Sequence, residues 1–201
     1  IQSIPTPRWH EHDGGYYIGT GCMVIMRDPD TGIINAGTYR NQVFDRNSIG
    51  IRAAPPHDGG IIKEKYMQRG QPCPLVTVVG TDPLLFLAAC AEGPIFGQSE
   101  LDWAGGVRGE PIEVIQGELT GLPIPAQAEI ALEGFITTDQ FTKEGPYGEW
   151  MGYYQDGYQK ERVVRIERIY HRDDPIMLGC PQGKPPHEDN RFLVYLRSGM
   201  I

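Results

Sequence analysis

Twenty-six glycines and seventeen prolines, spread along all 201 residues, constrain this chain more than any other feature. Glycine permits tight turns and ends helices, while proline is excluded from helix interiors and central strands, so the regular elements between them must be short. A turn-dense, β-rich fold follows. Residues 16–28 and 32–39 are rich in β-branched and aromatic side chains, and the Asp-Pro-Asp-Thr-Gly run from Asp28 to Gly32 predicts a hairpin joining them. Further strands are expected over 48–53, 75–80 and 110–117. Residues 129–136 and 162–170 alternate apolar with charged or small side chains, the period-two pattern of strands with one wet face.

Helices are expected over 58–69, 82–91, 99–107 and 187–197, the second opening on Asp82-Pro83 as N-cap and first turn. No repeat or long linker divides the chain. Many antiparallel strands with helices in their connections predict a single α+β domain, 1–201, around a barrel-like sheet. The chain opens on Ile1 and stops at Ile201 just after an apolar helical pattern, so both ends read as cuts in a longer polypeptide.

Composition excludes several functional classes. A net charge of -8 argues against nucleic acid, whose phosphates need clustered Lys and Arg, so a small anionic ligand must meet local positive charge. The longest apolar runs, such as 84–91, fall far short of the roughly 20 residues that span a bilayer. Cys22, Cys73, Cys90 and Cys180 are scattered without metal-ligand spacing, which suits reduced thiols in a cytoplasmic protein.

Three stretches carry candidate chemistry. Glu144 and Glu149 flank a Gly-Pro-Tyr-Gly turn too rigid to be helical, and two carboxylates in one site disfavour joint ionisation, which supplies a proton donor near neutral pH. The same spacing also fits a surface turn with two solvated acids. Asn35, Ala36, Gly37, Thr38, Tyr39 and Arg40 end a strand in small residues whose backbone N–H groups can hold a phosphate, with Arg40 suited to a carboxylate or to an ordinary salt bridge. His57, in Ala-Pro-Pro-His-Asp-Gly-Gly, and Glu100, at a helix start, have no close ligand spacing; each also fits a plain structural role.

The run Leu132-Glu-Gly-Phe followed by Glu144-Gly-Pro-Tyr-Gly-Glu149 and Gly152-Tyr-Tyr154 resembles the glutamate loop of UbiD-type decarboxylases, in which a Glu-Gly-Pro-Phe-Gly-Glu core precedes a Gly-Tyr strand. Asn35 and Arg40 stand five apart, as do that family's metal-binding Asn and catalytic Arg, and Ser99-Glu100-Leu-Asp-Trp-Ala-Gly resembles its segment with a metal-binding Glu. The likeness runs from about residue 16 to 170.

It implies a split β-barrel related to flavin reductases, and reversible decarboxylation of an aromatic or α,β-unsaturated acid on prenylated FMN, with CO2 as the other partner. Arg40, Glu144 and Glu149 would be catalytic: Arg40 placing the carboxylate, Glu144 orienting Arg40, Glu149 delivering the proton. Asn35, His57 and Glu100 would ligate manganese at the cofactor phosphate. Thr38, Tyr39, Arg40 and Pro56 would also touch the cofactor, although Pro56 stands where the family commonly has Gln. A potassium site is implied around residues 89–91, and a homo-oligomer in a longer chain. A flavin-binding barrel without chemistry is the alternative.

Overall fold

The computed structural model describes residues 1–91, 97–154, 157–188, 191, 194–195 and 198. Among the described residues, ten strands and three helices follow in the order β1 (Tyr16–Gly19), β2 (Cys22–Arg27), β3 (Ile34–Gly37), β4 (Asn41–Val43), β5 (Ser48–Ile51), α1 (Asp58–Gln68), β6 (Cys73–Val79), α2 (Pro83–Cys90), α3 (Glu100–Arg108), β7 (Val114–Gln116), β8 (Pro123–Pro125), β9 (Ile130–Glu144) and β10 (Gln159–His171). Eight of the strands form one antiparallel sheet in the order β1-β4-β5-β10-β9-β6-β2-β3.

That order forces the sheet to curl. β3 and β4 are six places apart in the sheet, about 29 Å if it were flat at roughly 4.8 Å per strand. Yet only Thr38, Tyr39 and Arg40 join them, a connection that reaches at most about 15 Å at 3.8 Å per residue. The link from β1 to β2 is shorter still, Thr20 and Gly21. The two ends of the sheet must therefore come together, making a barrel split along one seam. The fold is α+β with a split barrel, as expected, and the seam is where Thr38, Tyr39 and Arg40 run.

Alternation along the strands builds two apolar layers. From β2, Val24 and Met26 enter a cluster that also takes Ile18, Ile49, Leu75, Leu132 and Val164. These come from strands across the whole sheet, as the inside of a curled sheet requires. Met23 and Ile25 point the other way, onto Leu85 and Ala88 of α2 and Leu101 and Ala104 of α3. β2 is thus apolar at every inner position because both of its faces are covered. At roughly 1.5–3 kcal/mol per buried large aliphatic side chain, these layers carry most of the favourable free energy of the fold.

Several expectations are corrected. The single strand expected over 16–28 breaks at Thr20-Gly21 into β1 and β2, which lie far apart in the sheet order. The β2–β3 hairpin stands, with Val24 opposite Gly37 and Arg27 opposite Ile34. The strand expected over 110–117 is only β7, paired with β8 in a separate small ribbon. β9 and β10 extend past the alternating stretches, because each shields the other's backbone along a long two-stranded arm. The helix expected over 187–197 lies partly outside the described residues. Among the described residues, no helix is long and apolar enough to cross a membrane.

Candidate active site on the barrel seam

A cleft of about 1020 Å³ opens along the seam. Its walls come from β3 and the 38–40 connection, the N-terminal turns of α1 and α3, the C-terminal end of α2, the loop after β9, and residues 178–182. Arg40, Tyr147 and Glu149 line one part; Asn35, His57 and Glu100 line another.

Arg40 is clamped between the two glutamates. Its Nε and Nη2 donate to Glu144 Oε1 and Oε2, both at 2.8 Å, a parallel two-bond pairing, and Nη1 donates to Glu149 Oε1 at 2.5 Å. The Arg40 side chain is 10% exposed, that of Glu144 fully buried and that of Glu149 33% exposed. Burial alone would favour a neutral guanidinium, but the Glu144 hydrogen bonds and both carboxylate charges outweigh it and hold Arg40 more firmly protonated than usual. The ring of Tyr147 lies 4.9 Å from the guanidinium carbon, adding a cation–π contact. Glu144 does not reach the cleft: it stands behind Arg40 and reaches the cavity only through it.

Residues that pattern reading did not single out hold this clamp. Tyr17 Oη donates to Glu144 Oε1 at 3.2 Å, and Gly145 N donates to Gln42 Oε1 at 2.9 Å. The buried carboxylate of Asp13 accepts from Gly148 N at 2.8 Å and from His10 N at 2.9 Å, tying the N-terminal segment to the residue before Glu149. Gly14 N donates to Pro146 O at 2.7 Å, and a Cβ on Gly14 would land 1.7 Å from Gly145 O, so only glycine allows this approach. Burial, reinforced by the Glu144 charge, pushes the Tyr17 hydroxyl far above its ordinary pKa, so it stays a donor. None of these residues has a periodic signature; the Asp-Gly-Gly of 13–15 was the one local signal of a tight turn.

Around Asn35 the chemistry differs. Glu100 accepts from Ala36 N at 2.7 Å and from Asn35 Nδ2 at 3.3 Å. Burial raises the Glu100 pKa, with the Asp58 charge adding to it, against the hydrogen bonds from Ala36 and Asn35. Asn35 Oδ1 is buried with no hydrogen-bond partner. An unpartnered amide oxygen beside a desolvated carboxylate is a donor set that suits a hard divalent cation. His57 is exposed at the N-cap of α1 and lines the same cleft. Among the described residues no three His, Cys, Asp or Glu side chains form a metal-binding group, so a cation here depends on the Asn35 oxygen.

The remaining candidates divide. Thr38 and Pro56 line the cleft, and Thr38 N donates to Ala89 O at 3.2 Å. Tyr39 Oη accepts from Gly59 N at 2.8 Å, serving the first turn of α1, which lacks a side-chain cap; burial raises this hydroxyl to about 12. Arg52, which the sequence did not flag, adds a second cation on the cleft wall and pairs with Glu161. Both cleft arginines are thus paired with carboxylates, so an anionic ligand would meet a guanidinium by competing with Glu149 or Glu161. Cys22 and Cys73 are buried thiols, and Cys90 and Cys180 line the cleft.

Residues 1–185 match the family model described as UbiD, 3-octaprenyl-4-hydroxybenzoate carboxy-lyase Rift-related domain. The chain belongs to the UbiD family. It is 35% identical over 185 residues to the phenolic acid decarboxylase of Bacillus subtilis (strain 168), covering 90% of this chain and 39% of that protein. It is also 35% identical over 190 residues to the pyrrole-2-carboxylic acid decarboxylase of Pseudomonas aeruginosa, covering 94% and 38%. Among solved structures, the vanillic acid decarboxylase of Sedimentibacter hydroxybenzoicus in its open form superposes with a TM-score of 0.82 at 35% identity, over 94% of this chain and 40% of that one. An evolved dimeric form of the UbiD-class enzyme HmfF from Pelotomaculum thermopropionicum, in complex with prFMN, gives 0.85 at 30% identity, over 96% and 43%. The chain thus spans about two fifths of the length of these UbiD relatives.

Proposed function

We propose that residues 1–201 are the cofactor-holding core of a longer, homo-oligomeric UbiD-family carboxy-lyase that removes CO2 reversibly from an aromatic or α,β-unsaturated acid. The observation that carries this reading is the Arg40 clamp: a fixed cation with a second, partly exposed carboxylate, on the wall of a cleft of flavin size. Prenylated FMN, when bound there, supplies an electron-accepting centre for the bond to CO2. Manganese fits Asn35 and Glu100, with His57 as third ligand, and would neutralise the cofactor phosphate; potassium would take backbone carbonyls near residues 89–91. Thr38, Tyr39 and Pro56 would flank the cofactor.

This chain's own residues do the rest. Arg40 receives the substrate carboxylate, and Glu144 keeps the guanidinium from turning towards it. An incoming carboxylate competes with Glu149 for Arg40. That competition favours a neutral, protonated Glu149, the form able to donate. As the carbon–carbon bond breaks and CO2 leaves, Glu149 delivers its proton to the carbon that carried the carboxylate. The reverse sequence carboxylates.

The test is CO2 release from a panel of such acids by the complete polypeptide carrying this chain, loaded with prenylated FMN, manganese and potassium. Turnover that falls by about 100-fold or more in Glu149→Gln supports the reading. Tight flavin binding with no CO2 from any acid would replace it with a non-catalytic flavin-binding module.

A further inference from the structure

Buried polar atoms are nearly always hydrogen-bonded, so those left without a partner call for an explanation, and in a cleft wall a bound group is one. Asn35 Oδ1 is one such atom, accounted for above. Two others, Tyr147 Oη and Gln182 Oε1, belong to residues on the wall of the same cleft. One imidazole touches both residues, though neither of these two atoms. His10 Nε2 lies 2.5 Å from the backbone oxygen of Gln182, and because a carbonyl can only accept, Nε2 is the donor. The same ring stands edge-on to Tyr147, centroids 5.9 Å apart. Gly148 makes room for it, since a Cβ there would sit 2.6 Å from His10 Nδ1.

Tyr147 is 1% exposed, and its ring also packs against Tyr17 at 4.6 Å. Its hydroxyl is therefore held in place. Burial, with the charges of Asp13 and Glu149, pushes its pKa far up, so it presents a proton. The Gln182 amide, on the wall of the same cleft, offers an acceptor oxygen or, turned over, a donor. A donor and an amide on one cleft wall, linked through His10, match a group that both accepts and donates, as a neutral hydroxyl does. The charges of Asp13 and Glu149 act on the Tyr147 hydroxyl ahead of the opposing Arg40 cation, which disfavours an anion there.

We propose that Tyr147 Oη and the Gln182 side chain form a specificity subsite that recognises a neutral hydroxyl substituent on the ring of the acid whose carboxylate Arg40 receives. The subsite rests on the decarboxylase reading for the placement of that carboxylate. A site built to hydrogen-bond a substrate hydroxyl discriminates strongly against the analogue lacking it, because the analogue leaves the protein's polar atoms unmet.

The experiment uses the flavin-loaded complete polypeptide and matched acids: benzoic acid with its three monohydroxy isomers, and cinnamic acid with its hydroxylated forms. Dissociation constants are measured by calorimetry and CO2 release in parallel, for wild type, Tyr147→Phe and Gln182→Met. In wild type, one hydroxylated isomer should bind about tenfold or more tightly than its unsubstituted parent. In Tyr147→Phe, which keeps the ring packing, that preference should fall below about threefold, whatever happens to absolute affinity. Gln182→Met should narrow it as well.

Wild type without a hydroxyl preference, or a preference unchanged in Tyr147→Phe, overturns the subsite. An equal loss for all acids together with weaker FMN binding also overturns it, assigning Tyr147 to the cofactor. A hydroxyl-dependent affinity that vanishes in Tyr147→Phe, with no CO2 from any acid, upholds the subsite while sinking the decarboxylase reading.

Discussion

The two parts of the cleft are built on opposite plans. Around Arg40 the charges are met within the protein: a buried cation meets two carboxylates, and a third carboxylate, Asp13, pins the loop that leads to Glu149. Around Asn35, by contrast, an amide oxygen is left unpartnered beside a carboxylate whose charge is disfavoured by burial. The difference teaches where preorganisation comes from. The first part has its charges paired before any ligand arrives, whereas the second, on the proposed reading, would be completed by a bound cation.

The sharpest way to break this contrast is Glu144→Ala. It strands the Arg40 guanidinium, which is 90% buried, with one remaining carboxylate, and removing one partner of a buried pair costs about 3–5 kcal/mol. Thermal denaturation should show a fall of roughly 10 °C for a chain of this size. A shift under about 2 °C would mean that Arg40 is not held by Glu144 in solution.

Asp13→Ala comes next. It leaves the N–H groups of His10 and Gly148 without acceptors, at about 1–3 kcal/mol in total if water partly replaces them. Amide exchange at Gly148 should quicken with it. An unchanged exchange rate would show the loop to be rigid without that anchor.

At the other part the sign reverses. Manganese added at 100 times its Kd should stabilise the protein by about 2.7 kcal/mol, and Glu100→Gln should abolish that gain. Without metal, Glu100→Gln should modestly raise the melting temperature at neutral pH. The folded state of the parent binds the Glu100 proton more tightly than the unfolded state does. Its stability therefore falls as pH rises from the ordinary value of 4.5 through the raised folded pKa, a slope the variant lacks. A destabilised metal-free Glu100→Gln protein would mean that this region is as self-sufficient as the Arg40 clamp.

Tyr17→Phe is the finest probe. It removes one hydroxyl from Glu144 while keeping the ring, and should cost about 1 kcal/mol by denaturant titration, with no change in the manganese effect. If the manganese effect moved too, the two parts would be coupled.

Much of this molecule is legible in its sequence because local patterns report local free energies. Asp82 and Ser99 announce α2 and α3, and their side chains accept from Leu84 N and Leu101 N as caps should. Alternating side chains mark β9 and β10, and the Asp28–Gly32 run marks the β2–β3 hairpin. The Gly-Pro framework between Glu144 and Glu149 declares a rigid turn, whatever that turn faces.

What it faces was decided only by the tertiary structure. Arg40 lies 104 and 109 residues from its two glutamates, and they meet because the end of β9 and the start of β4 reach one seam of the curled sheet. The support from Asp13 and Tyr17, and the unpartnered hydroxyl of Tyr147, arise there too. Side-chain alternation says which face of a strand is apolar, but the same alternation fits many strand orders. Closure by the short 20–21 and 38–40 connections selects the order, and with it the neighbours of every charged group in the cleft.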